Sequence, residues 1–496
     1  MNIETTQLGF QTNIANEISV ARKKLNMTQS DLATAIGTNQ SSIARMEAGN
    51  QNFTAQMLER LSQVLGENFI SKSVPDRSIK IIGNKPLKGT VGIQGAKNAA
   101  LPAIAAALLP SKGTTVLKNI PNIQDVHAML EIAESLGAKI KFDVKGHTVT
   151  INAENISTSK IPFEQANKIR TCILFLSSLL YRTGRAQLPA VGGCNIGERK
   201  TDFHYRGFAR LGAEVKTTSQ YLIDAKATKL KGSYIYLDTP SHTGTENLLI
   251  ASCIAEGDSI IDNAASDPEV VDLANMLVKM GAQISGIGTR TLYVTGVKEL
   301  KAVEYTIIPD RHDFISFAVA TAITEGKVTL KNAIRTNQLI TDAKLQQMGV
   351  NIEYQGTDAV VSVPTKLKPI NLITYPYPGF PTDAQPLMTA LATLAEGKSF
   401  IRETIFEDRF GYVDYLNDMG ADIVISKNNV IIVEGVPWLD GGTVKADDIR
   451  AGFGLIAAGL AAKGETIINN AYQIERGYEN FVERLKGLGA DISVVS

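Results

Sequence analysis

The segment Val191-Gly-Gly-Cys-Asn-Ile-Gly-Glu-Arg199 carries the strongest chemical signal in this sequence. Its glycines suit an exposed, mobile loop, and Arg199 supplies a cation that favours the thiolate of Cys194. Such a thiol can give up a proton or bond to carbon. Taken alone, the segment is equally compatible with a small loop residue of no consequence. Gly95-Ala-Lys-Asn-Ala-Ala-Leu-Pro102 sets Lys97 and Asn98 at the head of an almost wholly apolar helix. A lone lysine is ordinarily a solvated surface charge, but a charge at that place needs an anion. Phe380-Pro-Thr-Asp-Ala-Gln385 sets Asp383 at a helix start, where an aspartate is ordinarily an N-cap. Arg170, Arg199, Arg409, Arg450 and Arg476 add guanidinium groups, which hold carboxylates and phosphates through paired hydrogen bonds.

Composition narrows the setting. The chain has 496 residues, 44% hydrophobic and 20% charged, with no net charge, so it carries no whole-chain basic field for nucleic acid or membrane. Met1 to Gln11 lacks the basic start and apolar core of a signal peptide. The apolar stretches Ala99–Pro110 and Leu455–Ala462 are too short to span a bilayer. Three cysteines, Cys172, Cys194 and Cys253, make no disulfide framework, and a cytoplasmic protein with buried thiols at 172 and 253 is expected. Histidine is scarce and the cysteines lack metal-ligand spacing. No metal or other cofactor is expected.

Two modules position these residues. Over 15–66, helix-spaced Leu25, Leu32, Ile36, Ile43, Met46, Leu58, Leu61 and Leu65 predict short helices. Ala33 is small where two helices cross, and Gly37 can take the positive φ of a turn. Residues 1–70 are read as a helix-turn-helix domain and 71–77 as a polar linker. Asn39, Gln40, Ser41, Ser42 and Arg45 could reach base edges or phosphates. The five Lys/Arg against six Asp/Glu of residues 1–70 are a poor balance for a phosphate binder. A DNA or a protein partner is therefore open for residues 15–66.

The remainder repeats. Leu136-Gly-Ala-Lys-Ile140 recurs at Leu211, Met280, Met419 and Leu488, with a variant at Met348, every 68 to 75 residues. Each unit repeats a second phrase upstream, an Ala/Leu-rich helix, Glu-Gly or a relative, and a short β run ending near Asn, as in Thr324-Glu-Gly-Lys-Val-Thr-Leu-Lys-Asn332. The unit reads as helix, strand, second helix, strand, with glycine closing each helix. The Ala-rich helices are apolar nearly all round and should be buried. The charged second helices, such as Glu479–Lys486, should face solvent.

Six such units together with the cysteine, Lys-Asn and Phe-Pro-Thr-Asp phrases resemble the enolpyruvyl transferase family, and the resemblance runs from residue 78 to the end. The N-terminal pattern, including Arg45-Met-Glu-Ala-Gly49, resembles Xre/Cro-type helix-turn-helix domains. The first resemblance implies an α/β fold, a two-lobed inside-out α/β barrel, here preceded by a small all-α domain. It implies lobes of 78–96 plus 309–496 and of 97–308, with core-helix N-termini facing a cleft and favouring anions.

It also implies roles. Cys194 would protonate phosphoenolpyruvate, and Asp383 would take the proton of a sugar 3-hydroxyl. Arg409 and Arg450 would hold the substrate carboxylate; Lys97, Arg199 and Arg476 would hold its phosphate. Asn98, Arg170, Lys200, Thr201, Asp202, Phe203, Ser241, His242, Thr243, Ile405 and Asp448 would complete the substrate-binding set. The implied partners are phosphoenolpyruvate and UDP-N-acetylglucosamine, with no membrane.

The nucleotide pocket departs from the family's pattern. Pro-Val-Asp-Leu is replaced by Lys200-Thr-Asp-Phe203, losing the proline that stacks on uracil. Ser-Val-Gly-Ala-Thr becomes Ser241-His-Thr-Gly-Thr245, and Ile-Glu-Ala-Gly-Thr becomes His312-Asp-Phe-Ile-Ser316. Another nucleotide acceptor, a weaker option of shikimate 3-phosphate, or a DNA-binding sensor built on the same fold are the alternatives.

Overall fold

The computed structural model describes residues 15, 17–25, 27–48, 55–66, 77–189, 201–218, 221–364 and 366–495. Its contacts separate an N-terminal unit, ending at Pro75, from a large unit that begins at Asp76.

In the N-terminal unit, helix Gln29–Ile36 starts at a reciprocal cap. Asp31 N–H donates to Thr28 Oγ1 at 3.1 Å, and Thr28 N–H donates to Asp31 Oδ2 at 2.8 Å. It ends at Gly37, whose φ of 71° makes the turn into Gln40–Glu47. Ile18, Leu32, Ala33, Ile36, Ile43, Met46, Leu61 and Leu65 form its core. Leu25, expected among them, is 50% exposed. Ser42, expected to reach outward, is buried, leaving Asn39, Gln40, Ser41 and Arg45 exposed.

Arg22 donates to both oxygens of Glu47, at 2.6 and 2.9 Å, with side chains only 10% and 7% exposed. Glu47→Ala strands this guanidinium, at a cost of about 3 kcal/mol. The expected readout is a lowered denaturant midpoint for the N-terminal unit within the full chain, monitored by helix circular dichroism.

The described residues of the large unit form six small sheets. Three contain strands Ser78–Ile82, Lys88–Gly92 and the strands from Lys327 to Val495; the other three use strands between Thr114 and Thr306. In five of them a parallel pair is extended by an antiparallel hairpin-like pair, as where Lys327–Lys331 lies between Lys88–Gly92 and Asp358–Ser362. The six repeat glycines, 137, 212, 281, 349, 420 and 489, all have φ between 86° and 109°. A side chain is strained there, which is why the phrase recurs in every unit.

Inside each set of sheets lie three buried helices. Lys97–Ala106, Phe175–Thr183 and His242–Ser252 pack together, as do Arg311–Ile323, Gln385–Ala392 and Ile449–Ala461. The chain passes between the two sets at residues 94–96 and 308–310, which run antiparallel. Ala96 N–H donates to Ile308 O at 2.8 Å, and Asp310 N–H to Gln94 O at 2.9 Å. The second helix Phe481–Gly487 is less solvent-facing than expected. Phe481, Val482 and Leu485 are buried, and Arg484 donates to buried Asp313 at 2.6 and 2.9 Å. No helix among the described residues is long and apolar enough to cross a membrane.

Candidate active site

The heads of the six buried helices carry many of the candidate residues. Lys97, His242 and Arg311 are the first residues of their helices. Arg170 opens the 3-10 turn Arg170–Leu174 that leads into Phe175–Thr183, and Asp383 lies in the turn Thr382–Ala384 ahead of Gln385–Ala392. Arg450 is the second residue of Ile449–Ala461, whose N-cap is Asp448. Backbone N–H groups at such helix ends point at whatever lies in front of them, and they favour anions.

Asp383 stands between two guanidinium groups. Arg409 Nη2 donates to Oδ1 at 3.0 Å and Arg450 Nε to Oδ2 at 3.2 Å. Both arginines are nearly buried, with side chains 2% and 3% exposed. Burial alone would raise the Asp383 carboxyl, but Arg409 and Arg450 overcome this and hold it well below the ordinary carboxylate range. Arg409 Nε and both terminal nitrogens of Arg450 have no hydrogen-bond partner among the described residues. Buried donors of that kind are costly unless an acceptor comes to meet them.

Asp448 is spent locally: Oδ1 accepts from the Arg450 and Ala451 N–H groups at 2.7 and 3.0 Å. Glu403, which sequence reasoning missed, is 2% exposed. Its Oε2 accepts from Thr382 Oγ1 at 2.9 Å, and its Oε1 from the Ile405 N–H at 2.7 Å. It thereby ties the Asp383 turn to the loop carrying Ile405 and Arg409.

A second missed residue joins the two helix sets. Asp125, 4% exposed, receives Lys97 Nζ on Oδ2 at 3.0 Å and Arg476 Nε on Oδ1 at 2.9 Å. Nothing in its sequence context, the head of helix Gln124–Ser135, distinguishes it from a cap. Burial pushes its carboxyl up, but Lys97 and Arg476 hold it below the usual range. A depressed folded-state pKa adds stability above the unfolded value, near pH 4, and that stability drains as pH falls through the folded value. Asp125→Asn should therefore lower the thermal midpoint at neutral pH and flatten its decline below about pH 4. An unaltered acid limb in thermal melts would count against this role.

The remaining candidates are placed as follows. Asn98, Thr243 and Arg170 are partly buried. Thr201 precedes helix Asp202–Arg210, where Asp202 pairs with Arg206 at 3.0 Å and Phe203 is 8% exposed under the Arg206 guanidinium. Ser241 caps His242–Ser252, accepting from the Gly244 N–H at 3.1 Å. Ile405 is 37% exposed. Cys194, Arg199 and Lys200 lie outside the described residues.

The EPSP synthase (3-phosphoshikimate 1-carboxyvinyltransferase) family model matches residues 81–485, and a helix-turn-helix model matches 18–70. The chain is 50% identical over 421 residues to a UDP-N-acetylglucosamine 1-carboxyvinyltransferase of Thermobifida fusca, covering 83% of this chain and 97% of that one. It is 46% identical over 418 residues to UDP-N-acetylglucosamine 1-carboxyvinyltransferase 2 of Carboxydothermus hydrogenoformans, covering 84% and 99%. The enolpyruvyl transferase NikO from Streptomyces tendae superposes with a TM-score of 0.78 at 25% identity, over 85% of this chain and 99% of that one. An EPSP synthase from Acinetobacter baumannii shares the fold, with a TM-score of 0.66 at 21% identity over 85% of this chain and all of that one.

Proposed function

The chain belongs to the EPSP synthase-like enolpyruvyl transferase family, and from that premise we propose that it transfers the enolpyruvyl group of phosphoenolpyruvate to the 3-hydroxyl of UDP-N-acetylglucosamine. Phosphate is released, and the product is the first committed precursor of peptidoglycan. The observation that carries this reading is Asp383 held between Arg409 and Arg450, whose remaining buried N–H groups await an anion. The relatives with the highest identity given above carry that activity in their names.

In this reading the substrate carboxylate takes the donors left over on Arg409 and Arg450. Its phosphate meets Lys97, Arg476 and Arg199. An anion there compensates the arginine charge, so Asp383 is no longer held as low and can accept the sugar hydroxyl proton. The sugar oxygen bonds to C2 while Cys194 protonates C3. The tetrahedral adduct then returns that proton and expels phosphate, restoring the double bond. These steps are proton transfer, addition and elimination, with fixed cations and N–H groups stabilising the charge. Closure around the anion excludes water.

The test is phosphate release by purified protein from phosphoenolpyruvate with UDP-N-acetylglucosamine, UMP or shikimate 3-phosphate as acceptor. Turnover with the first alone upholds the proposal. Turnover only with another acceptor keeps the mechanism and changes the substrate, which His242 and His312 in the nucleotide segments make the second reading.

For residues 15–66 we propose a DNA contact through exposed Asn39, Gln40, Ser41 and Arg45. An electrophoretic mobility shift at low salt tests it, and no shift at micromolar protein would leave a protein partner as the reading. A cytoplasmic location fits free, buried Cys172 and Cys253 and a nucleotide-sugar substrate.

A further inference from the structure

Where the family's usual pattern has Val and Ile, this chain has His242 and His312, and the fold brings both to one carboxylate. His242 Nε2 lies 3.9 Å from Glu269 Oε2, and neither atom has a hydrogen-bond partner although both are shielded from solvent. His312 Nδ1, also buried and without a hydrogen-bond partner, lies 3.8 Å from Glu269 Oε1. His242 Nδ1 is 3.3 Å from Glu246 Oε1. Arg311 uses one oxygen of each of two carboxylates of this cluster. Its Nε donates to Glu269 Oε1 at 3.0 Å and its Nη2 to Asp267 Oδ1 at 2.7 Å.

Glu269, with its side chain 1% exposed, cannot turn to water, so its unpartnered Oε2 must be met by a group inside the cluster.

We propose that His242, Asp267 and Glu269 bind a divalent cation of the zinc class. Each offers one ligand atom, and the three atoms lie within 4.8 Å of one another. An imidazole with two carboxylates is a borderline donor set that suits Zn²⁺ and leaves a coordination position open. Bonds of about 2.0–2.1 Å would put tetrahedral ligand atoms about 3.4 Å apart, so the pair at 3.9 Å closes by a small side-chain rotation. His242 and Asp267 are 27% and 17% exposed, which gives the ion a way in from solvent. Arg311 acts as the outer-shell partner that orients both carboxylates. His242 belongs to Ser241–Thr245, the segment expected to meet the nucleotide. The spacing along the chain does not announce it, because His242 comes from a different segment than Asp267 and Glu269.

The test is titration of chelator-treated full-length protein with Co²⁺ and Zn²⁺. One equivalent of Co²⁺ is expected to give the visible absorption of a low-symmetry site and to be displaced by one equivalent of Zn²⁺. His242→Val, which restores the family's usual residue, should weaken Zn²⁺ affinity about 100-fold or more, since outer-shell changes alone reach that size. Asp267→Asn should weaken it as well, while Cys194→Ser should leave it unchanged. Circular dichroism and thermal unfolding verify that His242→Val is folded. Absence of stoichiometric binding, binding retained in folded His242→Val, or binding lost in Cys194→Ser would each overturn the proposal. In the first two cases the cluster is a metal-free network of these side chains.

Discussion

Asp383→Asn is expected to lower turnover by about 10²–10⁴-fold, the usual loss for a removed general base. The substitution keeps the shape between Arg409 and Arg450 but removes the charge and the basic oxygen. Binding of phosphoenolpyruvate should not weaken, because the two arginines lose a competing anion. The KM for phosphoenolpyruvate therefore stays level or falls while kcat collapses. A purely structural Asp383 would behave differently: kcat would hold within a few-fold, while the stranded arginines lowered stability by about 3–5 kcal/mol. Steady-state phosphate release and a thermal melt on the same preparation separate the two cases.

Cys194→Ala should be as severe in turnover, by about 10²–10⁴-fold, because the proton to C3 then has no donor. The same thiol should be the one that fosfomycin alkylates, adding mass to a peptide containing Cys194. The other two cysteines are poor competitors. Cys172 and Cys253 are both buried; burial pushes the Cys172 thiol up to about 12 and also raises that of Cys253. Neither offers a thiolate near neutral pH. Label recovered on peptides with Cys172 or Cys253, and not on Cys194, would sink the assignment.

Much of the architecture was legible because the chain repeats itself. A glycine needed at positive φ in all six units leaves a mark at a regular interval, and an all-apolar helix can only be a buried one. The N-terminal helices were equally readable, since their apolar residues fall at helical spacing and Gly37 turns the chain locally. Ser42 departed from expectation because a helix's register against its neighbours decides which of its flanks is covered, and Leu25 because it falls in the turn that follows its helix. Phe481–Gly487 departed because Arg484 pairs across the fold with Asp313, which its own charge pattern does not reveal.

Among the candidate site residues, Lys97 and Asp383 were legible because a charge or capping group that opens a buried helix stands out against the apolar run behind it, whereas Arg450 was named only through the family resemblance. Asp125, Glu403 and Glu269 were not found, since each looks like an ordinary cap or surface acid until its partners are known. Residue types and local spacing determined the repeats, the buried helices and the charged residues at their heads. Only the tertiary structure decided that Asp125 joins Lys97 to Arg476, and that Glu269 meets two histidines from different helices. The physical reason is that electrostatic pairing depends on distance through space and on desolvation, and neither is a function of distance along the chain.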